Sequence, residues 1–549
     1  MESDKEDQND INSRREIDYM NAPKKTKKIA KKSSSSMTRR EALKLSGMAL
    51  GGLALGGAMV GAGAGEALAG QQCEENACHY PVRPHTTQEY SYAVSPPLHE
   101  FTLDMQQHLT SDEMRITFLG TAFPPARRAQ QMMSIFVEVG PWVPDAGGGF
   151  GKAKDSFVFD CGAGALTNYG AMGIAFSRMD KIFISHLHAD HMSDLSAVYC
   201  FGPANDRKWP LYVWGQGPSG ITCPAWGNNP PTQYDDGTNA FCQNFRKAMR
   251  WHSESFSFLQ TSSANYKIPT KDDWGTPCDL VPVGDDPKDD GYGLVPIQLN
   301  WTAVGGVAYD NPTTGVKITH FPVIHTRKGS MGYKLEWNGL SMIYTSDTRP
   351  ETVSIGQADN VDPITQVARG VDVFIHEMIL PPELLTMKNA GLTYPPSNSD
   401  SFNQAVQMTT NVENSSHSPQ GAFGYLLSQI NPHPRLTVIS HFPVADDTIK
   451  CAMNSVRAHF PRGGYPVFGK DIIWSTDLMV LRVKKGKTGR PPQIEQLMGK
   501  VSDYTFGPPQ NYYPLKAPKY SDPTAQLDKS TLIPWQNEDG SVNYCENGY

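Results

Sequence analysis

From Arg115 onward, short apolar runs bounded by Gly, Pro, Asn and Asp recur along the chain. Residues 116–119, 134–139, 157–159, 181–184, 211–213, 316–321, 332–337, 341–345, 371–375 and 435–440 read as strands, and so does the stretch 472–483. Apolar positions at helical spacing fall between some of them, at 166–179 and 240–252. Ser418-Pro419 is a cap followed by a first-turn proline and predicts a helix to residue 430; Asp446-Asp447 opens another to residue 459. Strands interleaved with helices predict an α/β core built in layers.

The same pattern divides the chain. Residues 1–69 form an N-terminal extension whose first 36 residues carry no core-forming pattern, 70–112 form a Pro- and Gln-rich lead-in, and 486–549 form a Pro- and Tyr-rich tail, so the layered domain spans 113–485. Residues 218–300 break the strand pattern and read as a large insertion around the helix at 240–252. No self-similarity appears at a period of ~20–50 residues. Gly (49) and Pro (42) together exceed the usual ~12% of residues, which favours a loop-rich sheet protein over long helices. Beyond residue 70 there is no run of ~18 consecutive apolar residues, which excludes a polytopic membrane protein.

Met37-Thr38-Arg39-Arg40, followed by a weakly apolar, Gly-rich stretch at 45–65, resembles a twin-arginine export signal. Ala67-Leu68-Ala69 fits the small-residue cleavage rule. The expectation is a periplasmic or secreted protein, with the twin-arginine export machinery as a partner, translation starting at Met1 or Met37, and no stable membrane span in the mature form. An uncleaved signal acting as a membrane anchor is the alternative. Residues 1–69 hold 12 basic and 9 acidic side chains, so the remainder carries −10 against −7 for the whole chain. An acidic surface disfavours a polyanion such as nucleic acid. Of nine cysteines, Cys161, Cys200 and Cys451 fall in strand or helix patterns and read as buried thiols. Cys73, Cys78, Cys223, Cys242, Cys278 and Cys545 fall in loops or extensions, where an oxidising compartment allows up to three disulfides.

The candidate chemistry lies at the end of one strand. Residues 181–191 read Lys-Ile-Phe-Ile-Ser-His-Leu-His-Ala-Asp-His. An apolar strand runs into His186, His188, Asp190 and His191, and imidazole with carboxylate is the ligand set of zinc and similar divalent ions. A His-rich surface loop would not follow a buried strand with four ligand-type side chains.

His-x-His-x-Asp-His resembles the hallmark of the metallo-β-lactamase-fold hydrolases. Further residues match that family's motifs in order along the chain: Asp160 in Phe157-Val158-Phe159-Asp160-Cys161-Gly162, His325 after the strand at 316–321, Asp347 in Thr345-Ser346-Asp347-Thr348, and His441 after the strand at 435–440. The resemblance covers roughly 113–485 and implies an αβ/βα four-layer sandwich around two Zn²⁺ ions, with Mn or Fe compatible with the same ligands. It implies that His186, His188 and His325 hold the first ion, that Asp190, His191 and His441 hold the second, and that Asp347 bridges them. Asp160 would support the ligand loop. The subgroup it resembles most is that of ribonuclease Z and arylsulfatase-like enzymes, through Leu119-Gly120-Thr121 with Pro124 and Arg127, the segment 210–220, His376-Glu377, and His417-Ser418-Pro419. β-Lactamases proper carry Cys in place of Asp347 and lack the Glu and His pair.

The resemblance implies a metal-dependent hydrolase in which a water activated between the ions attacks an ester-type bond. Asp190, Glu377 and His417 are the catalytic candidates, with His417 protonating the leaving oxygen and Glu377 orienting its ring. The expected partner is a small-molecule ester, either an aryl sulfate or a phosphodiester. Lactone or amide hydrolysis, or a guanitoxin-type biosynthetic hydrolase, are the alternatives. Ribonuclease Z-type cleavage is disfavoured. The RNA-processing enzymes continue after the last ligand with Ser and a basic-aromatic pair, whereas here His441 is followed by Phe442-Pro443-Val444. No basic, Gly-rich arm is present either. An iron-dependent oxidoreductase and a non-catalytic binding protein are weaker readings. His320 is expected in the core, His376 either beside the site or in packing, and Met132-Met133 in the core. Oligomeric state is left open, with a dimer compatible.

Overall fold

The computed structural model describes residues 101–125, 127, 130–144, 151–223, 231–260, 291–349, 363–460 and 464–499. The export signal, Cys73, Cys78, Cys278 and Cys545, most of the lead-in and most of the tail lie outside the described residues.

In chain order the strands are β1 (Glu113–Gly120), β2 (Ser134–Val143), β3 (Lys152–Phe159), β4 (Lys181–Phe183), β5 (Leu211–Gln216), β6 (Thr222–Cys223), β7 (Thr232–Gln233), β8 (Leu294–Leu299), β9 (Gly306–Asn311), β10 (Val316–Pro322), β11 (Met331–Trp337), β12 (Leu340–Tyr344), β13 (Val373–Glu377), β14 (Leu436–Ser440), β15 (Ile472–Trp474), β16 (Met479–Lys484) and β17 (Gln493–Met498). The α-helices are α1 (Ala165–Ala171), α2 (Ala189–Met192), α3 (Leu195–Phe201), α4 (Thr238–Gln260), α5 (Pro363–Val367), α6 (Pro382–Asn389), α7 (Asp400–Ser416), α8 (Gln420–Gln429) and α9 (Asp446–Arg457).

Two large mixed sheets carry the fold. The first has eight strands in the order β17-β16-β1-β2-β3-β4-β5-β8, and the second has seven in the order β15-β14-β13-β12-β11-β10-β9. Each is antiparallel on one side and parallel on the other: β3-β4-β5-β8 in the first, β12-β13-β14-β15 in the second. Side-chain alternation on the parallel strands packs both faces of the second sheet. Met342, Tyr344, Val373, Ile375 and Val438 join the core shared with the first sheet. Their neighbours Ile343, Phe374 and Ile439 join a second core with Phe423, Leu426 and Leu427 of α8 and Ile449 and Ala452 of α9. A strand buried on both faces must be apolar throughout, which is why these runs do not alternate with polar residues. Aromatic contacts join the sheets: Phe183 meets Tyr333 at 5.5 Å and Phe159 meets Tyr344 at 6.3 Å between ring centroids. Each such pair adds about 0.5–1.5 kcal/mol beyond its buried area. The α/β class and the pair of mixed sheets agree with the reading of the sequence.

Several elements differ from the sequence pattern. The run 472–483 is two strands in different sheets, β15 and β16, separated by a turn with Leu478 at φ 68°. The helix expected over 166–179 stops at Ala171, and a 3-10 turn Phe176–Arg178 follows, because Gly173 turns left-handed at φ 61°. β8 falls in the stretch read as insertion, yet it pairs with β5 along its full length. β17 falls in the stretch read as tail, yet it pairs with β16. Cys242, expected in a loop, is a buried free thiol on α4. Cys161 and Cys200 are buried free thiols, and Cys451 is half-buried on α9. Among the described residues no helix is long and apolar enough to cross a membrane.

Candidate metal centre

The ligand-type residues converge because they sit where strands end. Asp160 follows β3, the loop from His186 to His191 follows β4, and His325 follows β10. Asp347 follows β12, Glu377 ends β13 and His441 follows β14. Asp160 (φ 57°), Ser346 (φ 57°) and His441 (φ 52°) adopt left-handed backbone conformations, which non-glycine residues avoid at a cost of about 1–3 kcal/mol each. Such outliers persist where the surroundings over-determine them, and here all three lie at the tips that gather the ligands.

Among the described residues three groups of donors result. His186, His188 and His325 form the first, and Asp190, His191, Asp347 and His441 form the second. The third is Asp347 with Glu377, His417 and His441, which shares two members with the second. In the first, His325 Nε2 lies 3.0 Å from His188 Nδ1. In the second, Asp347 Oδ1 lies 3.3 Å from both His191 Nε2 and His441 Nε2, and Asp190 Oδ2 lies 3.3 Å from His441 Nε2 and 3.4 Å from His191 Nε2. Donors around a tetrahedral ion with bonds of about 2.0–2.1 Å are themselves about 3.3 Å apart, so the spacing fits a divalent cation. Asp347 faces the first two groups. Its Oδ1 points at the second, while Oδ2 lies 3.7 Å from His325 Nε2 and 4.0 Å from His186 Nε2. His186 Nε2, His191 Nε2 and Asp347 Oδ1 are buried and make no hydrogen bond. Buried polar atoms without partners are rare; a cation in the first group would satisfy His186, and one in the second would satisfy His191 and Asp347 Oδ1. His188 alone of the seven is exposed, which leaves the first group open to solvent.

Electrostatics favours the same reading. Burial lowers His325 to about 3, and burial with neighbouring imidazoles holds His186 well below the usual histidine range. Both rings are therefore neutral, the form that binds a metal. Burial also disfavours charge on His441, but Asp347, Asp190 and Glu377 outweigh it and push the ring up to about 10. Asp347 is held well below the carboxylate range by His441, His191 and His325 against the opposing effect of burial. Without an ion, protons thus gather where the second cation would sit.

Supporting contacts fix the rings. Asp160 accepts hydrogen bonds from His191 Nδ1, the Ser185 hydroxyl, the Ser185 N–H and the Tyr344 hydroxyl, each at 2.7 Å. His325 Nδ1 donates to the Ser416 carbonyl at 2.8 Å. Such contacts set which ring nitrogen faces the ion. Ser185, Tyr344 and Ser416 are absent from the sequence-based assignment. Ser185 is adjacent to a ligand and could have been read; Ser416 acts through its backbone and left no signal.

Glu377 and His417 are brought together beside the second group. His417 Nδ1 lies 2.8 Å from Glu377 Oε2 and 4.0 Å from Asp347 Oδ2. Glu377 also accepts the Thr348 N–H, and lies 3.7 Å from His441 Nδ1. Burial opposes charge on His417, but Glu377 and then Asp347 raise its affinity for a proton. His376 points to the opposite face of β13, packing on Phe374 and Phe423, as period-2 alternation requires. His320 is buried in the core as expected, neutral at about 4, with Nδ1 unpartnered.

No protein-family profile matches the chain. It is 39% identical over 64 residues to ribonuclease Z of Treponema denticola, covering 12% of this chain and 21% of that protein. It is 26% identical over 242 residues to ribonuclease Z of Mycolicibacterium gilvum, covering 43% of this chain and 62% of that protein. The chain thus spans less than two thirds of either relative. Among solved structures it is similar to a metallo-β-lactamase fold protein from Bacillus subtilis, at 12% identity and a TM-score of 0.37, covering 68% of this chain and 100% of that one. By sequence the chain is similar over part of its length to ribonuclease Z, and its two mixed sheets with ligand-type residues at the strand ends form a layered α/β architecture.

Proposed function

We propose that this chain is an exported dinuclear zinc hydrolase that cleaves an ester-type bond in a small substrate, an aryl sulfate or a phosphodiester. The observation that carries the reading is the division of Asp347: one oxygen faces each group of ligands. Two divalent ions bound there would supply Lewis acidity and a water acidic enough to lose a proton near neutral pH. His186, His188 and His325 would hold the first ion, and Asp190, His191 and His441 the second. Asp190 and Asp347 would keep the reacting side of the centre anionic. Glu377 holds His417 by Nδ1, so its Nε2 is the nitrogen free to give a proton to the leaving oxygen. That general-acid step is worth typically ~10²–10⁴-fold. The exposure of His188 marks the side from which substrate arrives.

Ribonuclease Z-type cleavage is the second reading, favoured by the names of the sequence relatives. Against it stands the net charge of −10 beyond residue 69, which repels a polyanion. The test is turnover of a bis-aryl phosphodiester, an aryl sulfate, a lactone and a precursor tRNA by the zinc-loaded protein, with Asp347→Ala as control. Hydrolysis of a small ester that is lost in the variant supports the proposal. Cleavage of precursor tRNA alone replaces it with the second reading.

A further inference from the structure

We propose that Gln130 is a positioning residue that clamps the loop bearing His441 and thereby sets the affinity of the second metal site alone. The inference rests on the dinuclear reading above. His441 is held at φ 52°, a conformation that must be fixed from outside. The fixing groups come from the loop between β1 and β2. The Phe442 N–H donates to the Thr121 carbonyl at 3.1 Å. Gln130 Nε2 donates to the Phe442 carbonyl at 3.1 Å, and Gln130 Oε1 accepts the Val444 N–H at 3.0 Å. The backbone on the C-terminal side of the ligand is therefore held at three points.

The orientation of the Gln130 amide follows from its partners. A backbone N–H can only donate, so Oε1 must face Val444, and Nε2 must face the two acceptors. The second acceptor is Thr121 Oγ1 at 3.0 Å. That hydroxyl in turn donates to Asp477 Oδ1 at 2.8 Å. Asp477 Oδ2 accepts the Gln131 N–H at 2.7 Å and Asn168 Nδ2 at 3.0 Å. Every donor in the chain from Gln130 through Thr121 to Asp477 points the same way, so each bond strengthens the next. Gln130 is 1% exposed, so water cannot replace what it supplies. Among the described residues none of these contacts reaches His186, His188 or His325, so losing the clamp affects one site and not the other.

The test is competition between the zinc-loaded full chain and a chelator, which resolves two binding steps. His441→Ala identifies the step that belongs to the second site. Gln130→Met keeps the side-chain volume and removes all three hydrogen bonds. It is expected to weaken the second step ~10–100-fold, as loss of an outer-shell partner does, and to leave the first step unchanged. Gln130→Glu keeps the acceptor for Val444 and loses both donations; its second step falls between the two, and it decides the question if Gln130→Met does not fold. A second step of wild-type affinity in a folded variant, or equal weakening of both steps, overturns the clamp. A wild-type chain that binds a single ion overturns the dinuclear reading, and the clamp with it.

Discussion

Replacing Asp160 with Asn tests how the second metal site is built. The backbone tolerates the change, because Asn adopts the left-handed conformation at φ 57° as readily as Asp. The side chain does not. Asp160 Oδ1 accepts the Ser185 N–H, and Oδ2 accepts the Ser185 hydroxyl, the Tyr344 hydroxyl and His191 Nδ1–H. In the Asp160→Asn variant the amide keeps its oxygen toward the Ser185 N–H and places NH₂ where Oδ2 stood. The two hydroxyls can rotate to accept. His191 can accept only by moving its proton to Nε2, the nitrogen that lies 3.3 Å from Asp347 Oδ1 and faces the ion. The expected loss is that of an outer-shell partner, ~10–100-fold in affinity, or about 1.4–2.7 kcal/mol. Leaving a buried donor unpaired would cost a further ~1–3 kcal/mol of stability. Chelator competition measures the first quantity and urea unfolding of the metal-free chain the second. A variant that folds and keeps wild-type affinity for the second ion would refute the assignment of Asp160 as the group that sets the His191 tautomer.

Further outcomes follow from the same geometry. Asp347→Ala removes the carboxylate that faces both ligand groups and should reduce retained zinc by at least one equivalent, as read by elemental analysis. His417→Ala should lower the hydrolytic rate ~10²–10⁴-fold with metal content unchanged. In Glu377→Gln the basic limb of the pH–rate profile should move to lower pH, since Glu377 is the main group raising His417; an unmoved limb removes His417 from acid duty. Burial pushes the Asp477 carboxyl up to about 7, against ~3.9 in an unfolded chain. A raised folded value gives stability that is present below the unfolded value and lost as pH climbs through the folded one. That loss amounts to about 4 kcal/mol at ~1.4 kcal/mol per unit. The stability cost of Asp477→Asn should therefore shrink as pH rises through that window, and a difference independent of pH in urea unfolding would contradict it.

The convergence of the ligand-type residues was legible because the pattern is local. Four ligand-type side chains follow one apolar strand, and the remaining residues each end an apolar run that is short enough to be a strand. What the sequence hid is what tertiary contacts decide. The helix pair α6 and α7 fills the stretch between Glu377 and His417, yet α7 is rich in Asn, Ser and Thr and carries little helical signal of its own. Packing supplies what propensity lacks: α6 lies against α7, and the Ser416 carbonyl at the end of α7 holds His325. β8 and β17 were hidden among Pro and Gly because edge strands need only one partner. Gln130 gave no signal, since a glutamine in the polar stretch Arg127-Arg128-Ala129-Gln130-Gln131 reads as loop until its three partners are seen.

In the proposed mechanism two ions act together across Asp347. The most direct measurement is the rate of hydrolysis of a bis-aryl phosphodiester or an aryl sulfate as zinc is added to the metal-free chain. The account predicts little turnover after the first equivalent and full turnover as the second binds, with neither seen in Asp347→Ala. A rate that is complete with one ion, or a chain saturated with zinc that turns over none of these esters, would contradict it.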